Sequence, residues 1–192
     1  MLVGSPDSVT WCTNGTRSHR HDRSRMIQPP PELVVQPDSF RVAKDSTLLT
    51  CELRGALAVC VYDDTQPAGG LLHLRYVAIA NNQPIDLTDN TLSSDLLLMD
   101  RFCKDLRSAG ARKQSWRVSI FGHTPDVPGM EGPAATVIDL AKAYFADARL
   151  PVECKEFNRP LGLLVRLDPR GGQIWVQGTP GTAPNVRQAA PA

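Results

Sequence analysis

The sequence predicts a single α+β domain, with mixed strands and helices around one core, carried between two polar tails. Three observations lead there. The chain has 192 residues and is 42% hydrophobic, enough for one core and cramped for two. Short runs of strand formers alternate with two segments of helical period. The ends show neither pattern. Residues 1–31 are polar and basic and run into Pro29-Pro30-Pro31, and residues 179–192 are rich in Pro, Ala, Gly and Thr. Such segments hold too little apolar surface to offset the entropy of ordering them, so both are expected to be disordered, leaving 32–178 as the folded domain.

Within that domain, residues 48–53, 57–63, 70–79 and 116–121 read as strands, short and rich in branched and apolar side chains. Leu92, Leu96, Met99, Cys103 and Leu106 fall on one helical face, and Gly110 ends the run. Val137, Leu140, Ala141 and Tyr144 form a second such face after Pro133, a residue at home in a first helical turn. The stretch GLLVRLDPRGGQIWVQ reads as a hairpin, with residues 168–172 supplying the turn chemistry. There is no internal repeat and no phosphate-binding glycine loop.

Charge and cysteine usage narrow the function classes. Lys plus Arg number 21 against 20 Asp plus Glu, which favours neither nucleic acid nor an anionic membrane. The longest apolar run, 56–62, is far short of the ~20 residues of a membrane helix, and no apolar stretch follows a basic start, so neither insertion nor a secretory signal is expected. Asn14-Gly15-Thr16 fits a glycosylation sequon, which has no weight without export. Five cysteines without paired spacing suit reduced thiols in a cytoplasm. His19 and His21 lie on the basic tail, where solvation outweighs metal binding, and either Met1 or Met26 suits as the start of translation.

The stretch TCELRGALAVCVYDDTQPAGGLLHL, residues 50–74, resembles the signature of the chemoreceptor glutamine deamidases, the CheD family. In that family a threonine ends one strand, a glycine-serine-cysteine step opens an apolar strand, and a histidine follows an acidic turn and a glycine. Thr50 matches the threonine, Leu57-Ala58-Val59 the strand, Asp63 the turn and His73 the histidine, without a gap between Thr50 and His73. Upstream, VVQPDSFRVAKDSTLLT resembles the family's opening strand and lead-in. Downstream, SWRVSIFG, a helix and the hairpin keep the family's order, so the resemblance spans roughly 34–176. It implies a β-sandwich-like core flanked by helices, as in a cysteine hydrolase. The implied partners are the cytoplasmic part of chemoreceptors and a CheC-type phosphatase, and no cofactor or metal is implied.

The departures fall on the functional positions. The family's nucleophilic cysteine corresponds to Ala56 and the serine before it to Gly55. His123 stands where a second glycine usually follows Ile120-Phe121-Gly122. The later glycine pairs are lost in NRPLG, and the asparagine opening the second helix is missing from GPAATV. An engineered knockout changes one residue; several changes together read as a natural, degenerate relative.

Deamidating a glutamine along this route needs a thiolate to attack the amide carbon, an imidazole to move the proton, a group to orient the imidazole, and N–H donors for the oxyanion. By resemblance His73 is the base and Thr50 its orienter, while the methyl of Ala56 attacks nothing. A lone strand histidine is more often a hydrogen-bonded, half-buried ring, but its register with Thr50 favours descent from a base. Neighbours on a strand face opposite ways, so with Thr50 directed at His73, Cys51 is expected to face away. Cys60 shares the face of Ala56, ~13 Å further along at strand rise, and reads as a core thiol. Cys12, Cys103 and Cys154 have less to suggest reactivity. His123 and His73 as a metal pair lack a third ligand.

Three functions therefore stand: a non-catalytic member that binds the family's partners, an active protein-glutamine deamidase with another nucleophile, and an unrelated small-molecule or metal binder around His73. The missing thiol separates the first from the second, and no ligand set supports the third. The residues favour the binder.

Overall fold

A computed structural model describes residues 30–76, 90–126, 128–158 and 161–179. The expectations for the tail residues 1–29 and 180–192, including Cys12, His19, His21 and Met26, lie outside these, as does the predicted extension of a strand to Ile79.

Among the described residues, nine strands form two sheets. The strands are β1 (Glu32–Val34), β2 (Ser39–Ala43), β3 (Leu48–Leu53), β4 (Ala56–Asp63), β5 (Gly69–Arg75), β6 (Trp116–Thr124), β7 (Val152–Asn158), β8 (Leu163–Asp168) and β9 (Gln173–Gly178). A four-stranded sheet runs β1-β3-β8-β9 and a five-stranded sheet β2-β5-β4-β6-β7. Both are mixed: β1 with β3 and β6 with β7 are parallel, and the remaining pairs are antiparallel. The helices are α1 (Asn90–Ser108) and α2 (Glu131–Asp147).

Strand alternation divides the core in two. Leu57, Val59 and Val61 of β4, with Leu72 and Leu74 of β5, pack against Met99, Phe102 and Leu106 of α1 and Val137, Ile138, Ala141 and Phe145 of α2. The alternate residues Ala56, Ala58 and Cys60 of β4 and Leu71 of β5 meet Leu49, Cys51, Leu53, Val165, Leu167 and Ile174 of the other sheet. The layers are thus sheet, sheet, helices, one α+β domain as predicted, with both helices on the same face of the larger sheet.

Every predicted strand and both helices are present. The strand β7 has no counterpart in the sequence reading, because VECKEFN sits at a sheet edge with no residue fully buried. In α1 the inward face is rotated from the one predicted. Leu96 is 39% exposed, whereas Asp95 is buried beside the Met99–Phe102 ridge. The helix ends as expected, with Gly110 at φ +99° and the Ala111 N–H bonded back to the Leu106 carbonyl. The β8–β9 turn likewise closes on the Gly172 N–H and the Asp168 carbonyl, 2.9 Å apart.

One connection decides where the site lies. β3 belongs to the smaller sheet and β4 to the larger, so the chain changes sheets within Arg54-Gly55. The sharp reversal holds Gly55 at φ +71°, which an L side chain rarely adopts. Ala56 is the first residue past that turn.

Candidate functional site

Ala56 opens β4 on the face that looks into the inter-sheet core and is 1% exposed. Its cross-strand partners are Arg75 on β5 and His123 on β6. One step along, Ala58 pairs with His73 and with Phe121. Cross-strand partners share a face, so His73 and His123 look the same way as Ala56 from the strands on either side. His73 is its diagonal neighbour, a relation that sets Cα atoms about 7–8 Å apart. The structure therefore brings together His73 and Ala56, and adds a second imidazole, that of His123, on the same face. Among the described residues no three side chains are grouped to hold a metal ion.

The two histidines are held differently. His73 is 3% exposed, and its Nδ1 lies 3.3 Å from the Val35 carbonyl oxygen. A carbonyl only accepts, so Nδ1 carries the proton and Nε2 keeps its lone pair. Burial holds the His73 pKa below the ordinary imidazole value, against the opposing pull of the Val35 carbonyl and the Asp38 carboxylate. The ring is neutral at pH 7 with the lone pair on Nε2, the form a general base needs.

His123 is 1% exposed and both its nitrogens are engaged. Its Nε2 donates to the Leu161 carbonyl at 2.8 Å, and its Nδ1 accepts the Gly55 N–H at 3.3 Å. The two bonds require one tautomer, with the proton on Nε2, and leave neither nitrogen for proton transfer.

Thr50 lies on β3 and is 2% exposed. It was expected to face His73 and to direct Cys51 away. The inter-sheet core instead contains Leu49, Cys51 and Leu53, so alternation turns Thr50 to the other face of β3. The reason is the change of sheets at Arg54-Gly55, which lets odd-numbered β3 residues share a core with even-numbered β4 residues. Thr50 reaches His73 through the backbone: its carbonyl accepts the Val35 N–H at 2.7 Å, and the Val35 carbonyl holds the His73 ring.

The two cysteines flanking the site are core thiols. Cys51 and Cys60 are both 0% exposed, and burial pushes both thiols far above the ordinary cysteine range. A thiol so poorly ionised is a weak nucleophile. The acidic turn is structural: Asp63 receives the N–H groups of Thr65, Gln66 and Arg112. At the rim, Arg75 is ion-paired with Asp38 and Arg54 with Glu52.

No family model matches the chain. It is similar to two proteins described as "Probable chemoreceptor glutamine deamidase CheD", from Caulobacter vibrioides strains NA1000 / CB15N and ATCC 19089. Each is 22% identical over 164 residues, which cover 83% of this chain and 82% of the relative. Among solved structures, a Neisseria meningitidis protein assigned to the family model DUF152 aligns with a TM-score of 0.45 and 7% identity, over 79% of this chain and 76% of that one.

Proposed function

We propose that this chain is a degenerate CheD-like domain of a bacterial chemotaxis system, acting in the cytoplasm by binding rather than by deamidation. The observation that carries this reading is the pairing of His73 and Ala56. A neutral imidazole, held through Nδ1 by the Val35 carbonyl, stands diagonal to a methyl group, at the spacing that resembles the family's histidine and cysteine. The base is kept and the nucleophile is gone. Thr50 acts in this reading as a backbone support for Val35, which in turn orients His73. The distant similarity to the two Caulobacter proteins supports the family over most of the chain. The partners proposed on that basis are the cytoplasmic domain of chemoreceptors and a CheC-type phosphatase.

The competing enzyme reading needs another nucleophile, and the two nearby thiols are disfavoured by the burial that suppresses their ionisation. Incubating the protein with a chemoreceptor cytoplasmic fragment and measuring glutamine-to-glutamate conversion by mass spectrometry separates the two. The expected result is no conversion together with retention of the fragment on immobilised protein. Conversion that is lost in His73→Ala would overturn the non-catalytic reading. Failure to retain any receptor fragment or CheC-type phosphatase would overturn the binding role.

A further inference from the structure

We infer that His123 is a clamp that closes the site over Ala56, so that the chain lost access to the reaction position as well as the thiol. The inference rests on the reading of Ala56 as the nucleophile position. It starts from what the ring joins. His123 sits on β6, receives the Gly55 N–H from the β3–β4 turn, and donates to the Leu161 carbonyl ahead of β8. Three separate segments are tied by one buried side chain. The same turn is further packed by Pro125 and Met130 from the segment between β6 and α2, whose side-chain carbons lie 3.7 and 3.4 Å from the Cβ position of Gly55.

Two consequences follow for a substrate amide. The space beside Ala56 on its inner face is occupied by an imidazole, and Ala56 itself is 1% exposed. The backbone N–H of Gly55, the residue just before the reaction position, points at Nδ1 of His123 and is withheld from any incoming carbonyl oxygen. Stabilising an oxyanion requires donors that are unoccupied before the reaction. A clamp that consumes one also removes a contribution to catalysis, so restoring the thiol alone leaves the site shut.

The test uses Ala56→Cys as a reporter, alone and combined with His123→Gly. In the single variant the introduced thiol is expected to alkylate slowly with iodoacetamide. Removing the clamp is expected to raise the rate at least about tenfold, the effect of losing a buried hydrogen-bonded contact. Free imidazole, refilling the space, should slow it again, which general unfolding would not allow. A rate indifferent to His123→Gly, or a rise that imidazole does not reverse, overturns the clamp. The underlying assignment of Ala56 fails separately, if His73→Ala leaves the thiol's rate unchanged in the open variant. Should His123→Gly not fold, amide exchange of Gly55 in the unaltered protein decides: strong protection is expected, and exchange at the rate of an exposed loop overturns the proposal.

Discussion

The Nδ1 atom of His73 and the carbonyl oxygen of Val35 lie 3.3 Å apart, a side-chain-to-backbone bond that ties the larger sheet to the segment just after β1. The bond fixes the tautomer, and burial holds the ring neutral. Following the imidazole carbon-bound protons by NMR should give a His73 titration below the free value of about 6.5. The sign for stability follows. The unfolded chain takes up the proton first, so the fold loses stability as pH falls from about 6.5 through the depressed folded value. A midpoint at or above that of a free histidine would contradict the burial of the ring, because the bond to Val35 pulls the pKa the other way.

Asp63 should be a structural carboxylate. Burial alone would raise its pKa, but the N–H groups of Arg112, Thr65 and Gln66 outweigh that and hold it below the ordinary value. Its contribution is therefore present above the unfolded pKa and lost as pH falls through the lower folded one. Asp63→Ala is expected to cost about 2–3 kcal/mol in denaturant unfolding, the scale of orphaning donors bonded to a charged group. A loss below ~0.5 kcal/mol, the level of an ordinary surface change, would contradict the role.

Asp95 behaves in the opposite way. Burial, with the nearby Asp38 carboxylate adding repulsion, raises its pKa to about 6, and its Oδ2 has no hydrogen-bond partner among the described residues. Its charge at neutral pH opposes folding, and the fold gains stability as pH drops from about 6 towards the unfolded value near 4. Asp95→Asn should raise the melting temperature at pH 7 and flatten the pH dependence in that window. An unchanged slope there would show that Asp95 is not the group titrating.

Gly172 cannot accept a side chain. Its φ is +65°, and a Cβ there would stand 2.5 Å from the Tyr62 ring. Gly172→Ala is expected to cost about 1–3 kcal/mol from overpacking at a left-handed position. Thermal unfolding measures it, and a neutral result would mean the β8–β9 turn yields without resistance.

Local pattern carried much of the architecture. β3 appears at its expected bounds of 48–53 because its residues are strand formers flanked by turns. What resisted reading was what depends on the second sheet. No periodicity within 48–63 announces that Arg54-Gly55 moves the chain from one sheet to the other, and that step decides that Cys51, not Thr50, looks inward. Asp95 gives no signal in the sequence, because a carboxylate seldom lies on a buried helical face and Leu96 beside it completes the apolar pattern. For the site, the resemblance to the CheD signature paired Ala56 with His73. The signal for His123 was present as a histidine in place of a glycine, but its two bonds reach turns 38 and 68 residues away in the chain.

The interleaving of the two sheets also orders events during synthesis. β3 emerges early, yet apart from the short β1 its partner is β8, more than a hundred residues later. Until that strand leaves the ribosome, β3, with Leu49, Cys51 and Leu53 on its inward face, lacks its antiparallel neighbour in the sheet. The helix-backed sheet can mature first, its β4–β5 hairpin being local. Val35, and with it the orientation of His73, waits for the smaller sheet to close. A nascent chain halted before Leu163 would thus hold a formed helical layer and an unformed site, with a sticky strand exposed to chaperones.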